Sequence, residues 1–308
     1  LDSYKTFGCE SGDPTYRYSL LDGVRDGYLI NPTVVDARTD ITTKLLADEG
    51  YAVISQGDEA DEEQEETYFA RDFEKKFFSE ETNKIFVKTF MDNALRDPIT
   101  GEIGKGIIFC VSRKHAAKIT QLLNVYADMM FPGKYCSNFA MQITSDVMNA
   151  QTYTINFQNN NLSGTTSFLE GYKSSKTRIC VTVGMMTTGY DCEDLLNIGL
   201  LRPIFSPTDF IQIKGRGTRK HDFIFKERNG GQEIVHKYPK ETFKLFDFFG
   251  NCEYFEEKFD YDEVLKLPRF QSSSVSPGTP PIDPDGYENF APDPLKTLVE
   301  TKIGAEGM

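Results

Sequence analysis

Between residues 178 and 219 the chain reads as strand, polar loop, strand and helix, an order that few folds accept. Arg178-Ile179-Cys180-Val181-Thr182-Val183 is a short apolar run rich in β-branched residues, the composition of a strand buried on both faces. Gly184-Met185-Met186-Thr187-Thr188-Gly189-Tyr190-Asp191 follows as a loop of glycines, hydroxyls and one carboxylate. Asn197-Ile198-Gly199-Leu200-Leu201 is a second apolar strand, closed by Arg202-Pro203. Ser206 can then cap a helix, Pro207 fits its first turn, and Asp209 suits the positive end of its dipole. Strands of this kind belong to an open, mostly parallel α/β sheet, where ligands bind beyond the carboxyl ends of the strands. The Thr188–Asp191 loop and the helix are both expected at such ends.

The helix carries Gln212-Ile213-Lys214-Gly215-Arg216-Gly217-Thr218-Arg219. At i and i+3 on one helical turn, Arg216 and Arg219 should point the same way. Glycines beside an arginine let a large polyanion approach the backbone. A guanidinium is a permanent cation with a fork of donors that matches phosphate. A lone R-x-x-R is more often a solvated basic helix end; the strands and loop just upstream favour the phosphate reading.

Thr188-Gly189-Tyr190-Asp191 resembles motif V of superfamily-two helicases and translocases, and Gln212-x-x-Gly215-Arg216-x-x-Arg219 resembles their motif VI. Gly106-Ile107-Ile108-Phe109-Cys110-Val111-Ser112 resembles the motif IV strand that opens the second motor lobe. The phrase from Tyr18 to Leu29 and the strand from Phe243 to Gly250 are similar to the motor-restriction (R, HsdR-type) subunits of Type I restriction enzymes. The resemblance covers roughly residues 1 to 265. It implies a RecA-like three-layer α/β domain with a mostly parallel sheet. Residues 1–35 would be a connector from a first lobe, 36–265 the second lobe, and 266–308 a linker and the start of a helical region.

The resemblance also implies roles. Arg216 and Arg219 would reach across the interlobe cleft toward the γ-phosphate of ATP. Gly189, Asp191, Gln212 and Gly215 would form the nucleotide-binding and coupling set, with Asp191 accepting from the ribose or ordering the arginines and Gln212 sensing nucleotide state. Thr144, Ser145 and Thr188 would touch the nucleic-acid backbone. The bland alternatives are a loop-capping aspartate at 191 and a helix cap at 144 and 145. The full-length protein would be an ATP-dependent, site-specific deoxyribonuclease using Mg2+, acting on double-stranded DNA with methyltransferase and specificity subunits. Two other readings remain open: the second lobe of another superfamily-two DNA or RNA helicase, and a non-catalytic interaction module on the same fold.

The triphosphate loop G-x-x-x-x-G-K-[ST] does not occur in the sequence. Gly101-Glu102-Ile103-Gly104-Lys105-Gly106 lacks its spacing and its hydroxyl, and reads as the turn into the Ile107 strand. Asp61-Glu62-Glu63-Gln64 follows no buried strand and reads as a solvated loop. The chain therefore reads as an excised second lobe that binds neither ATP nor Mg2+ by itself and cannot turn over alone.

Hydrophobic residues make up 39%, enough for a core, and no apolar run approaches the ~20 residues that span a bilayer. Six cysteines are scattered singly, without a C-x-x-C, and there are three histidines; a zinc site is not expected and a reducing cytoplasm is. Cys110 and Cys180 should be small buried hydrophobes. The net charge of −13 opposes a nucleic-acid partner at first sight. Its distribution softens this: residues 58–66 hold seven acids, whereas 202–228 hold seven Lys/Arg against three acids.

Aromatic spacing predicts a helix pair over Tyr68–Leu95. Further expectations are a helix capped by Ser112, a strand over Asn138–Ile143 and a helix over Asp146–Gln158. Strands over 178–183, 197–201 and 243–248 and a hairpin around Arg228-Asn229-Gly230-Gly231 complete the reading.

Overall fold

The computed structural model describes residues 16, 18–38, 42–48, 79–187, 190–229, 232–256 and 261–265. In chain order the described elements begin with α1 (Leu20–Arg25), β1 (Pro32–Asp36), α2 (Thr43–Asp48) and α3 (Glu80–Asn93). Then come β2 (Gly106–Cys110), α4 (Arg113–Met130), β3 (Ala140–Gln142), α5 (Ala150–Gln158), β4 (Thr165–Leu169) and β5 (Tyr172–Ser175). The last group is β6 (Ile179–Thr182), β7 (Asn197–Leu201), α6 (Pro207–Gly217), β8 (Asp222–Asn229), β9 (Gln232–Pro239), β10 (Phe243–Asp247), α7 (Asn251–Phe255) and β11 (Glu263–Val264).

Seven strands form one sheet in the order β11-β1-β10-β7-β2-β6-β3, and every pairing is parallel. The central strands β2 and β7 are buried at every position. Their side chains alternate between two separate cores, the signature of helices on both faces. Ile108, Ile179, Val181 and Phe246 meet α3 and α4 through Phe86, Phe90, Ala116 and Ile119. Ile107, Cys180, Leu200 and Leu245 meet α5 and α6 through Ala150, Phe157, Phe210 and Ile213. The molecule is thus an α/β three-layer domain of the RecA-like class expected.

Local signals explain the helix starts. Ser112 Oγ accepts from His115 N at 3.0 Å and Ser79 Oγ from Thr82 N at 3.1 Å, each satisfying an orphan amide. Along α4, Ala116, Ile119, Leu123 and Tyr126 are buried as their spacing requires. In the segment preceding β1, Ser19 and Asp22 close a reciprocal capping box on α1. Among the described residues no helix is long and apolar enough to cross a membrane.

Several expectations change. Of the helix pair over 68–95, α3 is observed, while 68–78 lies outside the described residues, as do 58–66 and 266–308. The expected helix at Asp146 begins at Ala150, because Thr144 Oγ1 donates to Asp146 Oδ1 at 2.5 Å and closes a turn first. The strand over 138–143 is confined to Ala140–Gln142. Residues 32–35, assigned to the connector, lie in β1 inside the sheet, paired with β10, so the boundary at 35/36 cuts a strand. Pro32 is tolerated there as the first strand residue.

The β8–β9 hairpin occurs where expected, and a second, unforeseen hairpin joins β4 to β5. The two hairpins lie against each other. Lys226 N donates to Glu170 O at 2.7 Å, and Arg228 pairs with Glu170 at 2.8 Å.

Candidate functional site

The arginine helix is built as its sequence directs up to its last turn. Ser206 Oγ accepts from Asp209 N at 3.3 Å, Pro207 occupies the first turn, and Phe210 and Ile213 are buried against the sheet. α6 then ends at Gly217, and Thr218 Oγ1 donates back to Gly215 O at 2.9 Å. Arg216 and Arg219 therefore do not share one helical turn: Arg216 sits in the last turn and Arg219 lies beyond the helix. Phe243 packs on this end of the helix. A Cβ at position 217 would stand 2.2 Å from its ring, so only glycine brings the helix end this close.

The two arginines nonetheless converge. Arg216 Nη1 donates to Tyr190 O, and Arg219 Nε lies 3.2 Å from Asp191 Oδ1. Consecutive residues of the loop are fastened by the two guanidinium groups. Thr188 and Gly189, just before them, lie outside the described residues.

The location differs from the expectation. A helix that follows one parallel strand and leads to the next must return across the sheet, so its end comes to the amino edge. Phe243, against Gly217, is the first residue of β10, and Ile30 N, just ahead of β1, donates to Thr218 O at 2.9 Å. The loop after β6 descends the same face to meet the arginines there.

Arg216 is half-buried. Desolvation pulls its guanidinium below the usual arginine value, Asp191 counters, and Arg219 adds to the pull. Among the described residues, Arg216 Nε and Gln212 Oε1 are buried atoms without a hydrogen-bond partner. They belong to side chains one turn apart on α6. Buried polar atoms are normally satisfied, so these two stand out beside the arginine–loop contacts. The Arg219–Asp191 pair is about half exposed on both sides, at 54% and 52%. Such a pair is worth at most ~1 kcal/mol, so Arg219 can exchange this carboxylate for another anion at little cost. A Cβ at Gly215 would meet nothing within 4 Å, leaving an open approach to the backbone beside Arg216.

Residues not singled out in the sequence hold the loop. Asp194 is buried and accepts from Lys105 Nζ at 2.8 Å, Asn160 Nδ2 at 2.8 Å and Cys192 Sγ at 3.1 Å. Burial pushes its carboxyl up, but the Lys105 ammonium prevails and holds it well below the usual carboxylate range. Lys240, also buried, reaches Glu193 O at 2.9 Å and Gly217 O at 2.8 Å. The one available signal was Lys105 placed directly before a wholly apolar strand.

Thr144 and Ser145 are not part of this cluster. They follow β3 at the carboxyl edge, where Thr144 accepts from Gln142 Nε2 at 3.1 Å and Ser145 from Arg113 Nη2 at 3.1 Å. Neither caps a helix, since α5 starts at Ala150. Among the described residues no group of three or more His, Cys, Asp or Glu is placed to hold a metal ion.

No protein-family profile matches the chain. It is similar to the Type I restriction enzyme EcoAI endonuclease subunit of Escherichia coli, with 29% identity over 81% of the chain and 27% of that protein. It is also similar to the EcoKI endonuclease subunit of Escherichia coli strain K12, with 25% identity over 77% of the chain and 18% of that protein. The chain thus spans about a quarter and a fifth of the length of these relatives. A fragment assigned to the HsdR subunit of a type I restriction enzyme from Vibrio vulnificus is a solved structure with similarity, at a TM-score of 0.49 and 24% identity, covering 85% of this chain and 40% of that one.

Proposed function

We propose, on the premise that this chain is homologous to the endonuclease subunits of Type I restriction enzymes, that it is the second motor lobe of such a subunit. In this reading α6 and the 190–191 loop serve ATP hydrolysis that drives movement on double-stranded DNA, in a complex with methyltransferase and specificity subunits. The observation that carries the reading is the convergence of Arg216 and Arg219 on Tyr190 and Asp191, with Arg216 Nε and Gln212 Oε1 left unsatisfied beside them.

The chemistry follows from charge. As water attacks the γ-phosphorus and ADP departs, negative charge is spread over the equatorial oxygens and develops on the leaving oxygen. Fixed cations aimed there stabilise the transition state more than bound ATP. Arg216, anchored through Nη1, keeps Nε free to donate. Arg219 is held ready by Asp191 and transfers to phosphate when the lobes close. Gln212 reports on the nucleotide from one turn earlier, and Gly189 and Gly215 keep the backbone accessible. The phosphate loop and magnesium carboxylates come from the other lobe. Thr144 and Ser145, with Thr188 from the loop, take the DNA backbone.

The test uses the full-length subunit assembled with DNA. Arg219→Ala and Arg216→Ala should each lower DNA-dependent ATP turnover ~10³-fold, with ATP binding much less affected. Arg219→Lys should not restore turnover, because an ammonium lacks the planar fork. If the arginines were a surface patch for DNA, turnover at saturating DNA would stay near normal. DNA binding would then weaken with a shallower salt slope.

A further inference from the structure

The arginine-bearing end of α6 and the loop it meets belong to different parts of the chain, and one side chain touches both. Lys240 lies just ahead of β10 and is 5% exposed. Its ammonium donates to Gly217 O, the last carbonyl of α6, at 2.8 Å, and to Glu193 O, two residues after Asp191, at 2.9 Å. It also lies 5.9 Å from the centroid of the Phe243 ring, the ring that packs on Gly217. A cation at a helix C-terminus meets the negative end of the dipole. The neighbouring carbonyls are taken by other donors, Thr218 O by Ile30 N from the segment ahead of β1 and Gly215 O by Thr218 Oγ1. Among these ties Lys240 is the one that reaches the loop.

We infer that Lys240 is a positioning residue: through Gly217 O and Glu193 O it holds Arg216 and Arg219 in register with Tyr190 and Asp191. The inference rests on the role given above to the two arginines. A stabilising role alone explains the residue poorly. Burial pulls the ammonium down to about 8, against the opposing pull of Cys192, Asp194 and Glu193, so keeping it charged costs folding free energy. An apolar side chain of the same length removes that cost at the expense of two hydrogen bonds. What it cannot replace is the bridge. Displacing a catalytic group by ~1 Å can cost up to ~10²-fold in rate without loss of binding.

The experiment measures DNA-stimulated ATPase kinetics and thermal unfolding of the full-length subunit carrying Lys240→Met, Lys240→Arg, Arg216→Ala or Lys240→Met with Arg216→Ala. Lys240→Met should lower kcat ~10-fold or more, leave KM for ATP within about twofold, and keep the melting temperature within about 3 °C of wild type. Lys240→Arg, which can still donate to two carbonyls, should recover part of kcat. Because Lys240 acts through the arginines, the double variant should be no slower than Arg216→Ala alone. Normal kcat in Lys240→Met, or a double variant slower by the product of the single effects, overturns the inference while leaving the arginine reading standing. Should Lys240→Met fold poorly, the Lys240→Arg variant decides: a stable Lys240→Arg protein whose kcat is no better than that of Arg216→Ala sinks the bridging role. Normal turnover in Arg216→Ala removes the arginine reading, and the inference with it, by a pattern distinct from the others.

Discussion

His115 shows at the scale of one residue how tertiary contacts set the charge a side chain carries. It stands in the first turn of α4, beside Lys114 and Arg113. α3 packs over it. His115 is wholly buried, with Nε2 3.0 Å from Asn83 Oδ1. Burial lowers its pKa to about 3, and Lys118 pushes in the same direction. A base with a lowered folded pKa is stored uncharged, so between pH 3 and ~6.5 the unfolded chain binds more protons than the folded one. Its contribution to stability is therefore complete above pH ~6.5 and declines as pH falls through that window, by ~1.4 kcal/mol per pH unit. Denaturant unfolding at pH 7, 6 and 5 should show this decline, and His115→Gln should remove most of it. Equal stability of the wild type at pH 5 and 7 would contradict the buried neutral histidine. The burial of Lys105 and Asp194 escaped the sequence for the same reason: neither has a local partner, since they lie 89 residues apart.

At the scale of elements, α6 contrasts two glycines that look alike in the sequence. Helix propensity alone makes Gly→Ala stabilising by up to ~1 kcal/mol at both. Gly215 faces open space, so Gly215→Ala should leave the melting temperature unchanged or raise it, while lowering ATP turnover if a polyanion approaches there. Gly217 faces the Phe243 ring at 2.2 Å, where overpacking costs ~1–3 kcal/mol and outweighs propensity. Gly217→Ala should therefore lower the melting temperature, and adding Phe243→Leu should recover part of the loss. Thermal unfolding of the three variants checks the ordering; a Gly217→Ala protein as stable as wild type would remove the close contact. The helix start was legible because Ser206, Pro207 and Asp209 act within one turn. The close approach of its end to Phe243 was not, because the two residues meet 26 positions apart in the chain.

For the whole molecule, the distribution of chemistry over two edges of the sheet matters most. The arginines lie at the amino edge, and Thr144 and Ser145 follow β3 at the carboxyl edge. Neither edge carries a triphosphate loop. The 308-residue chain alone should accordingly show no ATP hydrolysis, with or without DNA, and its net charge of −13 should keep DNA binding weak. DNA-stimulated phosphate release by the purified chain would refute this. What the sequence determined by itself is local: the buried strands, the caps of α4 and α6 and the β8–β9 hairpin. These depend on residues within a few positions of one another. Only the tertiary structure decided that β1 enters the sheet beside β10. The same holds for the landing of the arginine helix on the amino edge and for the meeting of Lys105 with Asp194 and of Lys240 with Gly217. Each depends on which strands become neighbours and on the crossover that must return between them, and no short stretch of residues encodes that.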